Sequence, residues 1–224
     1  MEASQSGSNE ERIIRATESL IDEAVQFTQE MIRIPTVNPP GEFYEDGARH
    51  IGKWLEKAGF AAEYINAEGL PEHTAKHPRM NVIGRREGVN PGKTLHMNGH
   101  FDVVPAGRGW TKDPFGGEVS EGKIWGRGTC DMKAGIAAAV FASEALRRAG
   151  VTFDGAIEIS GTVDEESGGF AGAAYLCKSG RVTSANTDYA IIPEPLNVDR
   201  ICVGHRGVYW FDVTTYGRIA HGSM

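Results

Sequence analysis

The sequence predicts an α/β fold, a sheet with parallel strands and helices on both faces. Helical and strand-like periodicities alternate along the chain up to about residue 203, as in layered α/β architectures. The strand-like stretches are short, apolar and set between Gly, Pro and Asn clusters. Glycine makes up 29 of 224 residues, about twice its usual share and without a collagen period, which suits many tight turns.

The elements follow in order. Residues 1–8 read as a polar tail. Ser8 and Glu11 match a capping box, with Ser at the N-cap and Glu three residues on. Apolar residues then recur at helical spacing from Ile13 to Ile32, which predicts one helix ended by Pro35. The run from Asn38 through Pro39 and Pro40 to Gly41 is a loop. A second helix is predicted over 44–58, closed by Gly59. Strands are predicted over 81–85, 94–98 and Lys123–Trp125. Residues 132–149 read as a helix with Ile136, Val140 and Phe141 inward and Gly150 just past its end. Residues 156–163 form the clearest strand. A small-residue helix over 167–179 ends at Gly180, and a buried strand over 189–192 stops at Pro193. Residues 200–203 and 208–215 alternate polar and apolar, with Val208, Trp210 and Val213 among polar positions, as half-exposed strands of a different character.

Composition narrows the function classes. The chain carries 23 Lys+Arg against 30 Asp+Glu, a formal charge of −7, which argues against a nucleic-acid binder. Arg85-Arg86 is too small a basic patch to change that. No apolar run approaches the length of a membrane span. The start MEASQSGSNEER has neither the basic nor the apolar region of a secretory signal. Cys130, Cys177 and Cys202 make no CxxC pair and no even framework. These readings place the protein in the cytoplasm. The segment GVNPGKT, residues 88–94, has one residue too few between its glycines for a phosphate loop, and it precedes a strand instead of a helix.

Four predicted strand ends or turns carry chemistry. LHMNGHFD places His100 and Asp102, IWGRGTCD places Asp131, SGTVDEE places Asp164, Glu165 and Glu166, and IIPEP places Glu194. In open α/β sheets, sites form beyond the carboxyl ends of the strands. Each signal alone has a plain structural reading: an incidental HxD, an N-cap at Asp131, a solvated Glu pair, a Pro-bounded turn. In order, they predict one pocket in which clustered carboxylates repel and a cation offsets the repulsion. One His with carboxylates and no thiolate suits Zn²⁺, Mn²⁺ or Co²⁺.

The ordered motifs GHFDVVPAG, WGRGTCDMKAG, GTVDEESGG and IIPEP resemble the di-metal amidohydrolase family. Its members include acetylornithine deacetylase, succinyl-diaminopimelate desuccinylase, aminoacylase and bacterial glutamate carboxypeptidase. The resemblance covers about residues 12–224. It implies a three-layer α/β/α metallo-hydrolase core over 1–204 and, over 205–224, the start of an inserted α+β lid that pairs subunits. It implies two divalent metal ions. His100 and Glu194 would ligate the first, Glu166 the second, and Asp131 would bridge both. Asp102 would orient the His100 ring and Glu165 would act as general base. The final stretch VYWFDVTTYGRIAHGSM resembles the lid's opening strand and helix start. His221 there would reach the site of a neighbouring subunit.

Family members are longer. Their last ligand His and most groups gripping a substrate carboxylate would follow Met224, so the chain is expected to be part of a longer protein. The implied activity is hydrolysis of an N-acyl amino acid or related amide, in a homodimer or larger even assembly. The alternatives are removal of an amine from an aromatic or amidino compound, and a non-catalytic metal-binding module. Glu165 argues against the last, because a pure binding protein needs no base beside a ligand.

Overall fold

The computed structural model describes residues 7–197, 199–204, 207 and 211–222. The chain opens with α1 (Asn9–Ser19), α2 (Ile21–Ile32) and α3 (Tyr44–Lys57), followed by β1 (Ala61–Asn66), β2 (Met80–Glu87) and β3 (Thr94–His100). A hairpin of β4 (Glu118–Ser120) and β5 (Lys123–Trp125) comes next. Then come α4 (Ala134–Arg148), β6 (Ala156–Thr162), α5 (Ala173–Lys178) and β7 (Tyr189–Ile191).

The main sheet has the order β1-β2-β6-β3-β7. β3 pairs parallel with both β6 and β7, whereas β1–β2 and β2–β6 are antiparallel. The expectation of parallel strands is therefore met for three strands, and the sheet is mixed. Because β3, β6 and β7 run the same way, their carboxyl ends share one edge.

One sheet face is apolar and covered by helices. A Cβ at Gly99 would meet Ile136 and Met132, one at Gly84 would meet Leu55, and one at Gly161 would meet Ile51. Those neighbours lie on or beside α4 and α3, so both helices share that face. Phe27 of α2 joins them, its ring 5.1 Å from Trp54 and 6.1 Å from Phe141. The opposite face carries a polar row. His96 bridges Glu158 at 3.1 Å and Ser160 at 2.9 Å, and Asn98 donates to Ser160 at 2.7 Å. These buried groups satisfy one another across the strands. The segment around α5 is tethered to this face, through Asn81 Nδ2 to the Ala171 carbonyl at 2.8 Å and an Arg181–Glu63 ion pair at 2.8 Å.

Several expectations need correction. The Ser8 capping box is present, but the predicted single helix is two, broken at Leu20. That residue is fully buried and its N–H turns back to Thr17. Both α1 and α2 pack against α4. β1 and β4 are strands that the sequence did not announce, and both carry mostly exposed or half-buried residues without a clear apolar alternation. The helix predicted from 132 begins at Ala134, after a wide turn over Thr129–Lys133 with non-helical backbone at Asp131 and Met132. The helix predicted over 167–179 is a 3₁₀ turn, Glu165–Ser167, then α5. Gly168 and Gly169 at φ 107° and 72° separate the two.

The predicted buried strand over 189–192 is an exposed edge strand, with Tyr189 and Ile191 about half exposed. Residues 200–203 and 211–215 are not strands, and the residues that would follow His221 in the expected helix start include 223 and 224, which lie outside the described residues. The remainder of the predicted strand over 208–215 lies outside the described residues. Among the described residues, no helix is long and apolar enough to cross a membrane.

The Phe27–Trp54–Phe141 cluster joins three helices. Phe27→Ala is expected to lower unfolding free energy by about 3–5 kcal/mol, the usual cost of emptying a buried aromatic site. Urea denaturation measures it; a loss below about 1 kcal/mol would mean the helices repack without it.

Candidate metal centre

The site forms where the carboxyl ends of β3, β6 and β7 meet the turn before α4. His100 is the last residue of β3 and is 2% exposed. The parallel ladder continues past it, with Phe101 N–H donating to the Thr162 carbonyl at 3.0 Å. The chain then runs beside residues 36–38. Val103 N–H donates to Thr36 O at 2.9 Å and Asn38 N–H to Val103 O at 2.8 Å. This short pairing brings Asn38 and Asp102 together.

Asp102 is fully buried. Its Oδ1 accepts the Glu165 N–H at 3.2 Å, and its Oδ2 accepts the Glu166 N–H at 3.2 Å and Asn38 Nδ2 at 3.0 Å. The same carboxylate lies 3.4 Å from His100 Nδ1, which also sits 3.1 Å from the Asp102 carbonyl. A proton on Nδ1 is therefore well placed to be donated to Asp102, leaving Nε2 for the cluster. His100 Nε2 is 3.0 Å from Asp131 Oδ1, 3.6 Å from Glu194 and 3.8 Å from Glu165.

Asp131 reaches this point because the turn before α4 is anchored beneath it. Lys133, buried two residues on, donates its Nζ to the carbonyls of Met31 and Ile34, both at 2.9 Å. Burial pulls the Lys133 amine down to about 7, while the charge of Asp102 opposes the shift. Glu194 arrives from the segment after β7, which lies directly on the first turn of α4. A Cβ at Gly135 would stand 2.4 Å from the Pro193 carbonyl, so any larger residue there would push Glu194 away.

The structure brings together His100, Asp131 and Glu194, whose candidate ligand atoms all lie within 4.8 Å of one another. Glu165 borders the group. Glu166 is outside that triplet, but its carboxyl feels Asp131, His100, Asp102 and Glu165. His221 sits in an exposed stretch without regular secondary structure and is not in the triplet. Asn38, in the predicted loop, and Lys133, in the predicted helix, support the site without being among the predicted site residues. The signal available for Asn38 was its place before two prolines in a short connection between apolar runs.

Electrostatics favour a cation. Burial lowers the His100 pKa, but the hydrogen bond and charge of Asp102, then Glu194 and Glu165, outweigh it and raise it to about 9. Burial raises Glu194 to about 7; His100 opposes the shift, while Asp131 and Glu165 add to it. Glu166 is raised by burial first and then by Asp131. Burial first, and then the crowding of like charges, favours the protonated form of both carboxyl groups. An imidazole nitrogen with convergent carboxylates and no thiolate is a donor set that fits a divalent cation of the zinc, manganese or cobalt type.

Known proteins resemble this chain in sequence and in fold. Succinyl-diaminopimelate desuccinylase of Paracoccus denitrificans is 34% identical over 210 residues, covering 91% of this chain and 51% of that protein. The chain thus spans about half the length of the curated relatives it matches. The yeast di-peptidase Dug1p superposes with a TM-score of 0.69 at 23% identity, over 80% of this chain and 40% of that one. The Bacillus subtilis YXEP protein, described as a dinuclear metal binding peptidase, gives 0.52 at 17% identity over 78% and 43%. These two structures share the fold. The sequence profile of peptidase family M20/M25/M40 matches residues 96–216, more than half of the chain, and the chain belongs to that family.

Proposed function

We propose that the full protein is a metal-dependent amidohydrolase that cleaves the amide of an N-acyl amino acid or a related small molecule. The observation that carries the reading is the convergence of His100, Asp131 and Glu194 with a further carboxylate, Glu165, 3.8 Å from the His100 ring. The desuccinylase relative supports the substrate class. His100, Asp131 and Glu194 would hold one divalent cation, and Asp131 with Glu166 a second. A cation there supplies Lewis acidity toward a water and a substrate carbonyl.

The chain's own residues do the rest. Asp102 keeps the His100 proton on Nδ1 and Nε2 toward the cluster. Glu165 takes a proton from the attacking water as the new C–O bond forms. It returns that proton to the nitrogen as the C–N bond breaks. Residues 1–204 are read as the catalytic unit and 205–224 as the start of a lid. His221 is read as acting at the site of a partner subunit in a homodimer or larger even assembly. A cytoplasmic location completes the reading.

Three experiments on the full-length protein test this. Glu165→Gln is expected to lower kcat by at least about 100-fold with metal content near wild type. Glu166→Gln should lose metal as well, because only a ligand position feels the cation directly. Equal metal loss in both would reverse the two assignments.

Cation binding should release protons. At pH 7 His100 is an imidazolium and Glu194 is about half protonated; to bind, His100 must lose its Nε2 proton, keeping the one on Nδ1, and Glu194 must lose its own. About one to two protons should leave per first cation bound, and affinity should rise between pH 6 and 9. Calorimetry in buffers of different ionisation enthalpy measures it; no release would argue against these ligands.

Mixing His221→Ala with Glu165→Gln subunits should restore about one quarter of wild-type activity, since half the dimers are mixed and each has one intact site. Zero activity despite demonstrated subunit exchange would end the trans assignment.

A further inference from the structure

Three buried side chains outside the candidate ligand set meet at Asp164. β6 ends at Thr162, and two residues later Asp164 takes left-handed backbone, φ 59° and ψ 22°. Non-glycine residues seldom adopt that region, Asp and Asn most readily. The Asp164 side chain is 4% exposed. Its Oδ1 accepts the Tyr44 hydroxyl at 2.8 Å and its Oδ2 accepts Arg79 Nε at 2.9 Å. Its carbonyl accepts Ser167 N–H at 3.2 Å and Gly169 N–H at 2.7 Å. Those two bonds close the turn that carries Glu165 and Glu166.

The partners are themselves fixed. Tyr44 is the first residue of α3, and Arg79 directly precedes β2. The Arg79 guanidinium lies 5.4 Å from the Tyr44 ring centre, and its Nη1 donates to the His77 carbonyl at 3.1 Å. Arg79 N–H donates to His73 Nδ1 at 3.0 Å. On the other side Gly41, at φ 95°, leaves just enough room: a Cβ there would come within 2.7 Å of Arg79 Nη1. Burial, followed by the charges of Asp102 and Asp164, pushes the Tyr44 hydroxyl well above its ordinary pKa, so it stays a donor.

Asp102 holds the amides of Glu165 and Glu166, and Tyr44 and Arg79 hold the side chain of the residue directly before them. We infer that Asp164, held between Tyr44 and Arg79, is a positioning residue that directs the carboxylates of Glu165 and Glu166 toward His100 and Asp131. The inference rests on the proposed base role of Glu165. It assigns three residues, on α3, before β2 and after β6, to the reaction without placing any of them against substrate.

The test uses full-length Tyr44→Phe, Asp164→Asn and Asp164→Ala, with Glu165→Gln run alongside. Tyr44→Phe keeps the volume of the buried ring, so the fold survives even if an Asp164 variant does not fold. Tyr44→Phe is expected to lower kcat about 10-fold with KM within about twofold, as a misplaced reacting group does. Amide hydrogen exchange over 164–169, read in the metal-free protein, should quicken about 10-fold. Asp164→Asn keeps left-handed tolerance and an acceptor for Tyr44, and should retain about 10-fold more activity than Asp164→Ala.

Wild-type exchange in Tyr44→Phe and in the folded Asp164 variants would overturn the clamp. Faster exchange with unchanged kcat, while Glu165→Gln is inactive, would make the network merely structural and overturn the inference too. A fully active Glu165→Gln protein would instead remove the base assignment and the positioning role with it. The exchange data would then show separately whether the clamp orders the turn.

Discussion

The buried carboxylate of Asp102 organises the site. A charge withdrawn from water must be met by donors on every side. Here they come from three separate stretches: the amides of Glu165 and Glu166 after β6, the side-chain amide of Asn38, and the ring of His100 at the end of β3. Satisfying that one charge requires these stretches to arrive together. The same contacts that neutralise Asp102 therefore place the groups proposed as base and ligands. The short pairing of residues 36–38 with 101–103 and the parallel register of β3 with β6 make this convergence possible.

Around that fixed point the other carboxylates are crowded. Asp131, Glu165, Glu166 and Glu194 gather near a single imidazole; the surrounding carboxylates favour a proton on His100, and burial followed by the like charges of Asp131 and Glu165 favours one on Glu194. The scaffold holds them there by means remote from the cluster. Lys133 pins the Asp131 turn to the end of α2, and the bare Gly135 admits the Pro193–Glu194 backbone. Packing and backbone bonds thus hold together groups whose charges push them apart, which is the usual form of a preorganised cation site. Membership of peptidase family M20/M25/M40 agrees with that chemistry.

Much of the site was legible because its residues follow strand ends in order. His100, Asp131 and Glu194 were singled out from position and residue type, and the structure gathers those three. The helical period of α3, its closing Gly59 and the apolar run of β6 were equally plain. The antiparallel direction of β1 and β2 was not, because local sequence carries no sign of strand direction. The burial of β7 was misjudged for a related reason. An apolar run shows that a strand has apolar sides, and its place at the sheet edge decides whether they are covered.

Sequence by itself determined the inventory: which carboxylates and which His stand after which apolar strand, where glycines allow turns, and the family those motifs resemble. Tertiary structure decided which of them meet. Asn38, Tyr44, Arg79 and Lys133 act across separations of 64, 120, 85 and 102 residues to their partners. A side-chain contact between remote residues depends on register and strand order, which no local window contains. Periodicity can therefore announce a helix or a strand, while the buried hydrogen bonds that aim Glu165 and Glu166 exist only once the sheet has assembled around Asp102.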